Sequence, residues 1–73
     1  MIFNMNNRNV NIDDALVKKY KETMLEDLSQ EMVTIYLNAE LEFCNKKIES
    51  CTDKELSNFV ESSIKKDIQG QEV

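Results

Sequence analysis

The sequence contains no histidine, no proline and no tryptophan, and it has one glycine and two cysteines among 73 residues. The lack of histidine excludes zinc sites of the Cys/His type, and two cysteines alone cannot complete a tetrahedral structural site. It also removes the usual general base of nucleophilic catalysis. No glycine-rich loop is present to bind phosphate. We therefore predict that the chain is not an enzyme and that it uses no metal and no cofactor.

The scarcity of glycine and proline removes the residues that most often interrupt helices and form turns. We predict an all-α fold of three helices, in which a helical hairpin is followed by a third helix. A chain of this length hides only roughly 60% of its surface on folding, so we expect an oligomeric helical bundle. The expected boundaries are a flexible N-terminal arm over residues 1–10, one helical domain over 11–70 and a tail over 71–73.

The charge balance is acidic, with 14 Asp and Glu against 9 Lys and Arg, a net charge of −5 and a pI near 4.6. An acidic surface disfavours nucleic acid, which is bound by neutralising phosphates. No apolar run approaches the ~20 residues that span a bilayer, and the opening residues do not resemble a secretory signal. We predict a cytoplasmic protein whose partner is another protein or a second copy of itself, with no direct nucleic-acid or membrane binding.

The cysteines, Cys44 and Cys51, are seven residues apart on the predicted second helix. This spacing separates them by about 10 Å along a helix axis, which is too far for an intrahelical disulfide. We interpret both as small buried apolar residues in a reducing compartment. The alternative is a redox pair or an intermolecular bridge.

Residues that favour helix caps predict where the three helices begin. Asn11 is a suitable N-cap for the first helix, and Ser29 can cap the second, which we extend to Cys51. Thr52 and Glu55 fit the capping box of a third helix, and Gly70 stands where a left-handed C-cap is expected. The apolar face of the first helix is Ile12, Leu16, Tyr20, Met24 and Leu28, and that of the third is Leu56, Phe59, Val60, Ile64 and Ile68.

The second helix has apolar residues on two sides. One side comprises Met32, Ile35, Tyr36, Ala39 and Phe43. The other comprises Val33, Leu37, Leu41, Cys44, Ile48 and Cys51. A helix on a single core needs only one stripe, so we predict that this helix is central and that part of its surface meets a partner. The predicted interface is Met32, Val33, Tyr36, Leu37, Glu40, Leu41, Cys44, Lys47 and Ile48.

Glu40 and Lys47 project into the gap between these two sides. They are too far apart for pairing within a helix, but an antiparallel pair of such helices could set Glu40 of one chain against Lys47 of the other. The alternative is that both long side chains extend to solvent at the rim of a contact.

From Ile12 to Leu37, 26 of the 73 residues resemble the helical hairpin shared by the antirepressor SinI and the multimerisation region of its target SinR. The residues that carry the resemblance are Ile12-Asp13, Val17, Glu22 and the run Leu28-Ser29-x-Glu31-x-Val33-x-x-Tyr36-Leu37. The resemblance implies a helix pair that exchanges between a homo-oligomer and a regulator complex, with contacts at Val17, Leu28, Val33, Tyr36 and Leu37. The chain departs from the family where Leu16 replaces a bulky aromatic residue and where a third helix follows.

The favoured hypothesis is a small bacterial or phage interaction protein, a regulator or inhibitor that docks an apolar helix face on a protein target. The first alternative is a self-assembling homo-oligomeric structural subunit. The second is a small-ligand binder with a pocket between the helices of a dimer, lined by Tyr20, Tyr36 and Phe43.

Overall fold

The computed structural model describes residues 1–72, which form three α-helices, two short strands and one 3₁₀ turn. The elements are β1 (Ile2–Met5), β2 (Arg8–Asn11), α1 (Asp14–Met24), α2 (Gln30–Cys44), the 3₁₀ turn Ile48–Ser50 and α3 (Asp53–Glu72). The protein is therefore mostly helical, as the sequence predicts, but it is not all-α. The predicted tail over 71–73 begins inside α3, and its last residue lies outside the described residues.

The N-terminal residues form an antiparallel hairpin in which Phe3 pairs with Val10 and Met5 with Arg8. Asn6 and Asn7 make the connection with φ values of 49° and 64°, the left-handed conformation that a two-residue hairpin turn requires and that asparagine tolerates. Phe3, Met5 and Val10 lie on one face of the hairpin and are buried against the helices, whereas Ile2 is exposed. The sequence predicts a flexible arm over residues 1–10, whereas the structure places β1 and most of β2 there.

Side chains from the helices cover the outer edges of both strands. The Gln30 carboxamide accepts the backbone N–H of Asn4 at 3.3 Å and donates to the Asn4 carbonyl at 2.8 Å. The Ser57 hydroxyl accepts the backbone N–H of Asn11 at 3.1 Å. These bonds occupy edge groups that would otherwise be open to pairing with another strand.

Arg8 joins the hairpin to the segment between α2 and α3. Its guanidinium donates to the Asp53 carboxylate at 2.8 Å and to the carbonyls of Ile48 at 3.2 Å and Cys51 at 2.7 Å. The planar group with several donors matches these acceptors, which a single ammonium group could not reach together. Arg8 therefore holds the turn end of the hairpin in place.

α1 begins at Asp14 rather than after a cap at Asn11, because Asn11 belongs to β2 and pairs with Ile2. The side chain of Asp13 caps the helix by accepting the backbone N–H of Ala15 at 3.1 Å. The helix ends at Met24, and the C-cap Leu25 adopts a left-handed conformation with φ 61° and donates its backbone N–H to the Lys21 carbonyl.

α2 begins as the sequence predicts, with the Ser29 hydroxyl accepting the backbone N–H of Met32 at 3.2 Å. It ends at Cys44, well before the predicted end at Cys51, because Asn45 turns left-handed with φ 54°. Asparagine is the residue that most readily replaces glycine in this capping conformation. Cys51 is buried as expected, but Cys44 is exposed, so the expectation of two buried thiols is wrong for Cys44.

α3 carries the predicted capping box. Glu55 donates its backbone N–H to the Thr52 hydroxyl, and the Glu55 carboxylate accepts the backbone N–H of Thr52, each at 3.1 Å. The latter bond lowers the pKa of Glu55. The helix continues through Gly70, so the predicted C-cap there is wrong.

α3, rather than α2, is the central helix, since it packs against α1, α2 and β2. Its predicted apolar face is confirmed: Leu56, Val60 and Ile64 are fully buried, and Phe59 is half-buried against the core. The hairpin accounts for the difference, because β1 packs on α2 and covers apolar surface that the sequence analysis assigns to a partner. The core residues are Phe3, Met5, Val10, Ile12, Tyr20, Leu28, Val33, Tyr36, Leu37, Leu41, Cys51, Leu56, Val60, Ile64 and Ile68.

We predict that Arg8→Lys lowers the free energy of unfolding by about 1–2 kcal/mol, because lysine cannot satisfy the same set of acceptors. Urea unfolding of the two proteins measures the difference. Lys21→Arg is the control, since Lys21 forms an exposed ion pair with Asp27 at 3.2 Å and should tolerate the change. Equal stability of Arg8→Lys and the parent would contradict the role given to the guanidinium.

We predict that Leu25→Asn raises the melting temperature by a few degrees, because asparagine relieves about 0.5–1 kcal/mol of left-handed strain. The chain itself uses asparagine at its other described positive-φ positions, Asn6, Asn7 and Asn45. Leu25 is 87% exposed, so the substitution removes little packing. The matched control, Glu22→Asn in the helical part of α1, should not raise stability. A lower melting temperature for Leu25→Asn would show that its side chain stabilises the fold.

Candidate protein-binding surface

α2 presents three apolar residues to solvent at intervals of four. Ile35 is 53% exposed and Phe43 is 89% exposed, and Ala39 lies exposed between them on the same side of the helix. Residues with this spacing align along one face. We call Ile35, Ala39 and Phe43 the outer strip, and it is the longest row of exposed apolar residues that α2 carries.

The residues predicted as an interface fall into two groups in the structure: some are in the core and others are at the surface. Val33, Tyr36, Leu37 and Leu41 are buried in the chain's own core. Met32 and Ile48 are half-buried against the same core. Cys44 and Lys47 are exposed, the latter beyond the end of the helix.

Glu40 is engaged within the chain. Its carboxylate accepts the Ser63 hydroxyl at 3.1 Å and lies 3.8 Å from the Lys66 ammonium on α3. The side chain is 20% exposed, so it sits in the groove between α2 and α3. These contacts leave Glu40 facing away from the outer strip, and the predicted pairing of Glu40 with Lys47 across two chains receives no support from this geometry.

The interface prediction omitted all three residues of the outer strip. The sequence shows two apolar sides on α2, and Ile35, Ala39 and Phe43 belong to one of them. It does not show which side faces inward, because that depends on where α3 and the hairpin pack. The available signal was the spacing of four residues together with Glu31 and Glu42, which place charge on that same side.

The charges of α2 are all negative: Glu31, Glu40 and Glu42, with no lysine or arginine between Gln30 and Cys44. Glu40 is balanced by Lys66, whereas Glu31 and Glu42 are exposed beside the outer strip. The first positive charges come after the helix, at Lys46 and Lys47. The Lys46 ammonium lies 3.5 Å from Glu55 and 5.9 Å from the centre of the Phe59 ring.

Two buried tyrosines, Tyr20 on α1 and Tyr36 on α2, belong to the core. The Tyr36 hydroxyl on α2 donates to the Asp67 carboxylate on α3 at 2.5 Å, and the Tyr20 hydroxyl on α1 donates to Glu26 at 3.4 Å. Burial raises the pKa of Tyr36 well above its usual value, and the hydrogen bond to Asp67 adds to the shift. Burial also raises the pKa of Tyr20. Both phenols are therefore held in the neutral form.

A second, polar groove lies between β2 and the first turns of α3. Its lining is Asn9, Asn11, Asp53, Lys54 and Ser57. Two of these side chains already serve the fold, since Asp53 accepts from Arg8 and Ser57 accepts from the backbone of Asn11. The residues of the outer strip make no comparable contribution to the fold, and for that reason the outer strip is the stronger candidate for a binding surface.

Comparison of the chain with protein-family models, with curated proteins and with solved structures found no match. Nothing in these comparisons bears on the resemblance to the SinI/SinR hairpin, which stays a prediction. Within residues 1–72, no helix has the length and apolar character needed to cross a membrane. The same residues contain no group of three or more Cys, Asp or Glu side chains placed to hold a metal ion.

We predict that Tyr36→Phe lowers the free energy of unfolding by about 1–2 kcal/mol near neutral pH, because it removes a hydrogen bond to a charged group. Asp67 is exposed, which places the effect toward the lower value. Chemical unfolding of the parent and the variant measures it. An unchanged midpoint would mean that the hydroxyl contributes nothing to stability.

The raised tyrosine pKa values also predict loss of stability in alkali. Unfolded tyrosine ionises with a pKa of about 10, whereas the folded phenols stay neutral to higher pH. Their contribution is therefore complete below pH ~10 and is lost as the pH rises above it, by up to about 1.4 kcal/mol per pH unit for each phenol. The free energy of unfolding of Tyr36→Phe should therefore fall less steeply between pH ~9 and ~11 than that of the parent. An equal slope in both proteins would contradict this prediction.

Proposed function

We propose that this protein is a small interaction module, a regulator or inhibitor that acts by binding a protein surface through the outer strip of α2. The observation that carries the proposal is the exposure of Phe43 and Ile35 on one face of a helix whose opposite face completes the core. The cytoplasm is the proposed compartment.

The fold does not need the outer strip. Fifteen residues already form a continuous buried core, and none of the buried side-chain nitrogens and oxygens in the described part of the chain lacks a hydrogen-bond partner. Leaving a large aromatic residue in water forgoes roughly 1.5–3 kcal/mol that burial would provide. Contact with a partner would recover that free energy for Phe43 and part of it for Ile35.

The mode of binding that fits is a helix lying in an apolar groove, with anchors at i, i+4 and i+8. Glu31 and Glu42 beside the strip favour a partner with basic groups along its rim, because opposite charges steer the encounter and fix the register. Hot-spot residues of such interfaces are often aromatic, and Phe43 is the aromatic residue of the outer strip.

The ligand-binding alternative has weaker support. Tyr20 and Tyr36 are buried and their hydroxyls are engaged within the chain, while Phe43 lies on the outer surface of α2. The three aromatic residues named for a pocket are therefore not gathered around one cavity within the chain. The homo-oligomeric alternative is compatible with the same surface.

A comparative capture experiment tests the proposed function. The immobilised parent chain and the Ile35→Ser/Phe43→Ser variant are exposed to extract from the source cells, and any bound protein is purified and titrated against both. We predict at least a tenfold loss of affinity for the variant, consistent with ~1.4 kcal/mol or more. Because both side chains are exposed, the variant should melt within a few degrees of the parent.

Leu25→Ser is the matched control, since Leu25 is also a large exposed apolar residue but lies outside α2. It should retain binding. A partner that binds the parent and both variants equally would contradict the proposal. So would a failure to find any protein, including a second copy of the chain, that binds the parent more tightly than Ile35→Ser/Phe43→Ser.

A further inference from the structure

The exposed charges of α2 lie along one side of the outer strip. Glu31 and Glu42 are eleven residues apart in this helix, or about three turns, so they lie within about 20° of each other around its axis and about 16 Å apart along it. Glu31 stands four residues before Ile35, and Glu42 stands three residues after Ala39, so each carboxylate borders a residue of the strip. We call Glu31 and Glu42 the acidic row. It runs parallel to the outer strip, along the side away from α3.

The other side of the outer strip faces α3, and the charge there is paired within the chain. The Glu40 carboxylate accepts the Ser63 hydroxyl at 3.1 Å and lies 3.8 Å from the Lys66 ammonium. By contrast, within residues 1–72 neither carboxylate of the acidic row forms an ion pair or a side-chain hydrogen bond. The outer strip is therefore bordered by free negative charge on one side only, and a partner that matches it carries positive charge on one side only.

We propose that the partner presents an amphipathic helix to the outer strip, with lysine or arginine residues on the side that meets the acidic row. This inference rests on the proposed function, and it names the chemistry of the partner: the helix forms one wall of the apolar groove that receives α2. Its apolar side chains pack on Ile35, Ala39 and Phe43, while its cations pair with Glu31 and Glu42. Opposite charges beside an apolar contact fix the alignment of the two surfaces.

The spacing on α2 indicates a helix as the occupant. The outer strip rises about 12 Å from Ile35 to Phe43, and the acidic row rises about 16 Å along the same axis. A surface that matches both has an apolar row and a parallel row of positive charge. A second helix provides such a surface, because its side chains at intervals of three and four residues form parallel rows along one face. The long stems of lysine and arginine also extend the apolar contact, while their charged groups stay at its rim.

The same charges disfavour two other occupants. α2 contains no lysine or arginine between Gln30 and Cys44, so a second copy of this helix offers no cation to the acidic row. The net charge of −5 adds repulsion between copies, and it also opposes a nucleic acid, whose phosphates are bound by positive charge. A basic helix of another protein is the occupant that satisfies the outer strip and the acidic row together.

Synthetic peptides of about 20 residues, each designed as a helix with the same apolar row, test the proposal. In the first peptide two lysines eleven residues apart border the apolar row, in the second these lysines lie on the opposite face, and in the third glutamate replaces them. Fluorescence anisotropy of each labelled peptide, titrated with the full chain, measures its affinity. We expect the first peptide to bind at least about fivefold more tightly than the second, and the third to bind most weakly. The preference should shrink between ~0.02 M and ~0.5 M salt, because salt screens exposed charges.

Charge variants of the chain test whether the acidic row causes this preference. Glu31→Gln/Glu42→Gln should bind the first peptide at least about fivefold more weakly than the parent does, and it should bind the first and second peptides equally. Glu22→Gln/Glu49→Gln is the matched control, because it removes the same charge from exposed positions on α1 and the 3₁₀ turn. This control should bind like the parent. Equal affinity of the parent and Glu31→Gln/Glu42→Gln would overturn the proposal, as would an equal loss of affinity in the control.

These results are distinguishable from a failure of the proposed function. If Ile35→Ser/Phe43→Ser weakens binding of all three peptides equally and the charge variants have no effect, the outer strip is a binding surface and the basic helix is refuted. If the first peptide binds Ile35→Ser/Phe43→Ser as tightly as the parent, its binding does not use the outer strip, and this inference fails whatever the capture experiment shows. The absence of binding by any peptide also refutes the helix. A mass that doubles as the free chain is concentrated, with no preference among the peptides, would assign the strip to a second copy and overturn this inference.

Discussion

The arrangement of the whole molecule depends on the docking of the N-terminal hairpin against the helices. Phe3, Met5 and Val10 enter the core, and Arg8 ties the turn end of the hairpin to the segment before α3. Because β1 packs on α2 and β2 packs on α3, the hairpin closes the space between two helices that would otherwise present apolar surface to solvent. A chain of 73 residues buries only a modest share of its surface on folding, and the hairpin adds burial that the three helices alone would not supply.

The docking of the hairpin also determines which side of α2 is exposed to solvent. Tyr36 and Glu40 face α3, Gln30 and Thr34 face the hairpin, and the remaining side carries Ile35, Ala39 and Phe43. The core is complete without these three residues, and their exposure is a cost to the isolated chain. Leu25 bears a similar cost, since it is exposed and left-handed where glycine or asparagine is the usual choice. Association through α2 would explain why the outer strip is apolar and exposed, whereas nothing in the structure explains leucine at position 25.

Local chemistry made the starts of α2 and α3 and the inner face of α3 predictable. Ser29, Thr52 and Glu55 cap their helices with hydrogen bonds that depend only on nearby backbone, and Leu56, Val60 and Ile64 follow a regular helical period. Features that depend on distant partners were not predictable in this way. The apolar alternation of the hairpin is short and is interrupted by asparagines, so its strands were missed. Asn45 ended α2 through a left-handed turn that its sequence neighbours do not require, and the inward side of α2 was fixed only by tertiary packing.

The central claim is that the outer strip of α2 is the surface through which this chain associates. Methyl and aromatic NMR spectra, recorded while a protein captured by the chain is titrated in, test it most directly because each exposed side chain reports separately. The account predicts that the Ile35 and Ala39 methyl groups and the Phe43 ring shift as this protein is added, while the exposed Leu25 methyls and the buried Leu37 methyls stay constant. Shifts confined to Leu25 or to the hairpin would contradict the account and place the contact elsewhere.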